Sequence, residues 1–242
     1  MAGVTAPRTA PLPIVALDVG SLADAQRLVR QLGPATTFYK VGLQLFSAEG
    51  PRAVEWLHGE GKRVFLDLKL HDIPNTVRGA AASAGALGVS LLTVHALGGA
   101  AMLRAAVEGA AGRTNIMAVT VLTSMDAATL ARSMGHPTEI AGEVLRLAQE
   151  ACDAQTHGIV CAGTECAAVR ARFGDALQPL VPGLRPAGGA AHDQSRVVTA
   201  AEAARAGAAY VIFGRAVTAA ADPVGAYATL AAELQPAAQE KS

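Results

Sequence analysis

Eight short apolar runs recur along the chain, and segments of helical period lie between them. They are Ile14 to Asp18, Phe38 to Gly42, Val64 to Lys69, Leu91 to His95, Ile116 to Thr123, Gly158 to Ala162, Pro179 to Gly183 and Tyr210 to Gly214. Each is short and bounded by turn-forming residues, which predicts strands. Ser21 to Leu32 is the clearest predicted helix: Ser21 and Asp24 resemble a capping box, Leu22, Ala25, Leu28, Val29 and Leu32 make a stripe, and Gly33-Pro34 stops it. Thr199 to Ala206, ended by Gly207, repeats the plan. Gly79 to Leu103 carries no Asp, Glu, Lys or Arg, but its Ala, Gly and Ser content, broken by His95 and Gly98-Gly99, predicts helix, strand and helix start and not a membrane span.

Eight strand–helix units at roughly 25 to 35 residue spacing predict a single (β/α)8 TIM barrel over residues 14–234. Residues 1–13 then read as a flexible N-terminal tail with no signal-peptide apolar region, and 235–242 as a C-terminal tail. A doubly wound open sheet is the rival, but no Gly-x-Gly-x-x-Gly follows the first strand.

The 242 residues, 51% of them hydrophobic, can bury a substantial core. Twenty basic and twenty acidic residues give a formal net charge of zero, which argues against a nucleic-acid or membrane-surface partner and for a compact ligand. Cys152, Cys161 and Cys166 are odd in number and lack zinc-site spacing, which suits a reducing cytoplasm without a bound metal.

The run VFLDLKLHDIPNT, Val64 to Thr76, places Asp67 and Lys69 on one face of a strand and Leu66, Leu68 and Leu70 on the other. Charges on such an element are paired or functional, because burying them alone is costly. In a barrel the active site is built from the C-terminal ends of the strands. Asp18, Lys40, Asp67, Lys69, His95, Thr123, Ser124, Arg185, Gly214 and Arg215 all fall at such ends or just after them. Lys40, Asp67, Lys69 and Asp72 make an array of two cations and two anions, readable either as a structural ion-pair network or as a proton donor beside fixed negative charge. Such an array could protonate a carbanion without metal or organic cofactor. Gly214-Arg215, with Arg185 and Gln194 in a long Gly-rich loop that reads as a lid, points to phosphate binding.

DLKLHDIPNT with Lys40 upstream, VTVLTS, PGLRP, DQSRV and the Gly-Arg pair together resemble the orotidine 5′-phosphate decarboxylase family in its bacterial form, over Ile14 to Leu230. The resemblance implies cofactor-free decarboxylation of orotidine 5′-monophosphate to UMP, the last step of pyrimidine nucleotide synthesis. It implies that Lys69 protonates C6, that Asp67 faces the substrate carboxylate, and that Lys40 and Asp72 complete the array. Asp18 and Lys40 would hold the ribose, Thr123 or Ser124 the base, and Arg185, Gln194, Gly214 and Arg215 the phosphate. It further implies a homodimer in which Asp72 and Thr76 reach the neighbouring site, with Ile73 also a substrate contact.

Two other readings stay open on the residues: a metal-dependent sugar-phosphate decarboxylase or epimerase of the same superfamily, and a non-catalytic barrel that binds a phosphate ligand. Among the remaining side chains, His71 is expected at the rim or facing the helices, and His95 as a hydrogen-bonded barrel histidine. Trp56 is expected in helix packing and Cys161 as a small buried hydrophobe.

Overall fold

The computed structural model describes residues 10–184, 196 and 198–235. The expected lid and two of its residues, Arg185 and Gln194, lie outside the described residues, as does most of each expected tail. The strands are β1 (Leu12–Ala16), β2 (Phe38–Gly42), β3 (Arg63–Leu70), β4 (Leu91–His95), β5 (Asn115–Val119), β6 (Gly158–Val160), β7 (Gln178–Val181) and β8 (Tyr210–Phe213). They pair in parallel in chain order, and β8 closes on β1 through Leu12↔Tyr210, Pro13↔Val211, Ile14↔Ile212 and Val15↔Phe213. The helices outside are α1 (Leu22–Leu32), α2 (Leu43–Glu49), α3 (Arg52–Gly59), α4 (Pro74–Ala86), α5 (Gly99–Ala110), α6 (Ala127–Met134), α7 (Ile140–Asp153), α8 (Gly163–Phe173), α9 (Ala200–Ala206), α10 (Arg215–Thr218) and α11 (Pro223–Ala232). The expected (β/α)8 TIM barrel is therefore the observed fold.

The period of two along each strand splits the core in two. Ile14, Ala16, Phe38, Phe65, Leu91, Met117, Leu180, Tyr210 and Ile212 fill the barrel interior. Val15, Tyr39, Val41, Val64, Leu66, Leu92, Val94 and Val211 point outward into the layer shared with the helices. Going up the interior, Ala16 is followed by Asp18, Phe38 by Lys40, Phe65 by Asp67 and Leu91 by Thr93. The floor is apolar and the mouth is charged.

The first strand begins two residues earlier than expected, so Leu12 and Pro13 belong to the barrel and not to the tail. Pro13 is tolerated because β2 pairs with β1 only from Val15, leaving the missing N–H on a side without a ladder. At the other end β5 stops at Val119 and not Thr123: the Thr120 amide and hydroxyl both donate to the Val160 carbonyl, at 3.2 and 2.7 Å, and the chain turns off the barrel.

Ser21 caps α1 without completing the expected box: the Asp24 amide donates to Ser21 Oγ at 3.2 Å, but it is Ser21 Oγ, not the Ser21 amide, that donates to Asp24 Oδ2, at 2.7 Å. At α9 the box is complete, with the Thr199 amide donating to Glu202 Oε2 at 2.8 Å, and Gly207 ends the helix in the left-handed region at φ 92°. Gly109, just beyond the uncharged stretch, lets α4 and α5 approach closely. A Cβ on Gly109 would lie 2.2 Å from the Arg78 carbonyl oxygen, so any larger residue would separate the two helices. No helix among the described residues is long and apolar enough to cross a membrane.

Candidate active site

The mouth of the barrel holds a cavity of about 430 Å³, a size suited to a small ligand. Asp18, Lys40, Asp67, Lys69, Thr123, Gly214 and Arg215 line it, over an apolar floor that includes Phe65, Val160, Leu180 and Ile212. Seven residues singled out from the sequence thus come together from β2, β3 and the segments that follow β1, β5 and β8.

Asp67 is the centre of the charged group. Lys69 Nζ lies 2.8 Å from both of its carboxylate oxygens, and Lys40 Nζ lies 3.5 Å from Oδ2. Lys40 also donates to Asp18 Oδ1 at 2.7 Å. The order across the site is therefore Asp18, Lys40, Asp67, Lys69, with each ammonium beside a carboxylate. Lys40 and Asp67 are each only 7% exposed. Burial pushes the Asp67 carboxyl up, but the Lys40 and Lys69 charges, with hydrogen bonds from Lys69 and Thr93, more than offset it and hold the group below its ordinary range. Asp67 is thus a fixed anion, and the Lys69 ammonium it holds is the cation of the pair that reaches further toward solvent.

Lys69 has a backbone that its sequence does not announce. It sits at φ 49°, in the left-handed region, although it is not glycine. The cause is a slip between β3 and β4: Leu66 pairs with Leu92, and the next pair is Leu70 with Val94. Three residues of β3, Asp67 to Lys69, therefore face the single residue Thr93, as in an extended β-bulge. Asp67 and Lys69 still share a face, while Leu68 and Leu70 pack against the outer core.

Gly42 completes this part of the site. A Cβ there would come within 2.9 Å of Lys40 Nζ and 3.0 Å of Asp18 Oδ1, so the absence of a side chain makes room for the ion pair. Thr123 lines the cavity, whereas Ser124 is exposed and does not. Gly214 and Arg215 stand at the junction of β8 and α10, across the mouth from β3.

Asp72, Ile73 and Thr76 are not brought to this cavity by their own chain. Asp72 Oδ1 accepts from the Ile73 amide at 2.6 Å, and Ile73 is 67% exposed. Asp72 and Thr76 instead line a shallow outer surface that Lys69 also borders. Three members of the expected array, Lys40, Asp67 and Lys69, come together within the chain, and Asp18 stands in place of Asp72 as the fourth.

Sequence reasoning passed over three contributors. Thr93, fully buried, donates to Asp67 Oδ1 at 2.8 Å and accepts from the Lys69 amide at 2.9 Å. Its signal was a lone hydroxyl on the inward face of β4, between Leu91 and His95. Gly42 had the same inward parity beyond Lys40. Arg196, part of the DQSRV run, pairs with Glu165 at 2.8 Å and donates to the Leu122 carbonyl at 3.0 Å, anchoring the loop that carries Thr123; no local pattern marks such a contact.

Two histidine expectations fare differently. His71 is at the rim and exposed, with its ring centroid 5.5 Å from that of His95. His95 is not the hydrogen-bonded histidine expected, since its Nδ1 is buried without a hydrogen-bond partner. The reason is its surroundings: the ring borders a small void of about 40 Å³ lined largely by Leu97, Val121, Leu122, Met125, Leu130 and Leu147. Burial, then the His71 and Lys69 charges, pull its pKa down and favour the neutral ring. Trp56 packs against the outer core and Cys161 is fully buried, both as expected. Among the described residues no three His, Cys, Asp or Glu side chains cluster as metal ligands would.

A protein of Anaeromyxobacter dehalogenans named orotidine 5′-phosphate decarboxylase is 54% identical over 220 residues, covering 90% of this chain and 96% of that protein. One of the same name from Halorhodospira halophila is 51% identical over 229 residues, covering 93% and 96%. The crystal structure of orotidine 5′-phosphate decarboxylase from Lactobacillus acidophilus superimposes with a TM-score of 0.83 at 33% identity, covering 94% of this chain and all of that one. The family model described as "Orotidine 5'-phosphate decarboxylase / HUMPS family" matches residues 11–230, and the chain belongs to that family.

Proposed function

We propose that this protein decarboxylates orotidine 5′-monophosphate to UMP in pyrimidine nucleotide synthesis, with Lys69 as the proton donor. The observation that carries the assignment of roles is the Lys69 ammonium held 2.8 Å from both oxygens of an anionic Asp67 at the edge of the cavity. Breaking the bond from C6 to the carboxylate leaves its electron pair on C6 and releases CO2. The Lys69 ammonium gives a proton to C6 and regains one from solvent afterwards. A preorganised cation beside the developing carbanion lowers the barrier most in a site that excludes water. Asp67 faces the carboxylate that leaves and holds the Lys69 side chain in place through both of its oxygens. Asp18 and Lys40 hold ribose hydroxyls, and Thr123 the base. Gly214 and Arg215 take the phosphate, together with Arg185 and Gln194.

The rival sugar-phosphate reading needs carboxylates open to a divalent cation. Asp18 and Asp67, the carboxylates of the cavity, are both engaged by ammonium groups, which favours the metal-free route. Purified protein treated with EDTA is expected to discharge the ultraviolet absorbance of orotidine 5′-monophosphate as fast as untreated protein. A rate that collapses with the chelator and returns with Mg2+ overturns the cofactor-free assignment.

The protein acts as a homodimer in the cytoplasm, each chain lending Asp72, Ile73 and Thr76 to its neighbour's site. The support is their outward placement, beside an exposed Leu97, at the edge of a site that lacks their groups. Three free cysteines suit the compartment. Mixing Lys69→Ala chains with Asp72→Ala chains tests the exchange. Random reassociation into two-fold dimers restores one whole site in half of the dimers, so about a quarter of wild-type activity returns. A mixture as inactive as its two components refutes the shared site.

A further inference from the structure

The Thr93 hydroxyl sits where three groups of the proposed proton-donating machinery meet, and nothing assigned so far uses it. The slip between β3 and β4 deprives the Lys69 amide of a ladder partner, since Thr93 alone faces Asp67 to Lys69. The side chain of Thr93 fills that gap. Its oxygen accepts the Lys69 N–H at 2.9 Å, and its proton goes to Asp67 Oδ1 at 2.8 Å. Asp67 in turn receives Lys69 Nζ at 2.8 Å. The three contacts close a ring through four groups: Lys69 backbone, Thr93 hydroxyl, Asp67 carboxylate, Lys69 ammonium. Among the described residues no other side chain bonds both the Lys69 amide and the carboxylate that holds its ammonium.

From this ring we infer that Thr93 is a positioning residue for the decarboxylation: it fixes the left-handed backbone of Lys69 and the rotation of the Asp67 carboxylate together, and so sets where the ammonium stands. The inference rests on the assignment of Lys69 as the proton donor. Left-handed backbone at a lysine is strained and persists only where surroundings impose it. The Thr93 side chain imposes it, because a hydroxyl with one donor and two lone pairs can serve an amide and a carboxylate at once. Thr93 is 0% exposed, which leaves solvent no route to replace it. The residue touches no substrate atom and acts only through Lys69 and Asp67.

The test is steady-state kinetics of Thr93→Val, which keeps the shape of the side chain and removes both hydrogen bonds. Displacing the ammonium by a fraction of an ångström to an ångström is expected to lower kcat by about 10²-fold. UMP affinity should stay within about threefold, since the phosphate contacts of Gly214 and Arg215 lie on the other side of the mouth. Thr93→Ser, which restores the hydroxyl, should recover most of the rate. The acidic limb of the kcat profile should move to higher pH in Thr93→Val, because Asp67 loses one of the hydrogen bonds that keep it ionised. Should the valine variant not fold, Thr93→Ala, which cannot overpack, is read in the same way. An unchanged kcat in a folded variant overturns the inference. So does a joint fall in kcat, UMP affinity and Tm that serine fails to repair, which would make Thr93 merely structural. Lys69→Ala is assayed alongside: if it retains near-normal turnover, the donor assignment itself is wrong, whatever Thr93 does.

Discussion

Lys69→Ala is expected to abolish turnover of orotidine 5′-monophosphate while the protein still binds UMP. The expected loss is at least about 10⁴-fold in kcat, because in the proposed mechanism one side chain supplies both the proton and the positive charge beside the carbanion. Folding should survive the change. The Lys69 side chain is about one-third exposed, and its removal leaves Asp67 with Lys40 as a counter-ion at 3.5 Å. Ligand affinity should survive as well, since Gly214 and Arg215, the proposed phosphate contacts, stand at the β8–α10 junction, away from β3. Equilibrium binding of UMP together with a single-turnover assay separates the two properties. Near-normal turnover in the variant would remove Lys69 from the chemistry, and lost binding with lost turnover would make it a binding residue.

Asp67→Asn should damage both catalysis and stability, through the same charge. Asparagine keeps the shape of the carboxylate but leaves two ammonium groups facing each other, one of them almost fully buried. Removing one partner from a buried ion pair costs about 3–5 kcal/mol, and the effect here belongs at the low end because Lys40 keeps Asp18 at 2.7 Å. We expect about 3 kcal/mol by chemical denaturation at pH 7, with kcat reduced by at least about 10²-fold as Lys69 loses the anion that aims it.

The pH dependence of that gap follows from the direction of the Asp67 shift. Its folded-state pKa lies below the ordinary carboxylate value, so its stabilising contribution is complete above that ordinary value and is lost as pH falls through the folded value. The stability difference between the wild-type protein and Asp67→Asn is therefore largest near neutrality and shrinks in acid. A gap that persists unchanged well below the ordinary carboxylate range would mean that packing, and not charge, distinguishes the two proteins.

The barrel changes character steeply over one layer of side chains at this mouth. Phe65 and Ile212 form a floor that water does not solvate, and the next inward positions on β2 and β3 are Lys40 and Asp67. Charges packed against apolar groups interact more strongly than in water, which is why one aspartate can hold two lysines and remain ionised. Gly42 contributes by what it lacks, since a methyl group at its Cβ would crowd Lys40 and Asp18. Arg196 ties the Leu122 carbonyl to Glu165 on α8 and so steadies the loop that presents Thr123.

What the chain determined by itself was everything with a local period. Side chains alternate across a strand, so eight apolar runs and the residues closing them placed Asp18, Lys40, Asp67 and Lys69 on one inward face at one end of the barrel. Caps at Ser21 and Thr199 were legible for the same reason, each being an interaction between residues three apart. Tertiary structure decided the rest. The slip of β3 against β4 and the left-handed Lys69 it produces depend on which residue of another strand lies opposite, and 26 positions separate Asp67 from the Thr93 that bonds it. Asp72, Ile73 and Thr76 follow the same motif by only a few residues, yet the turn into α4 carries them off the cavity and onto the surface. A strand's period survives only as long as the strand, and beyond its end the direction of a side chain is set by packing between distant segments.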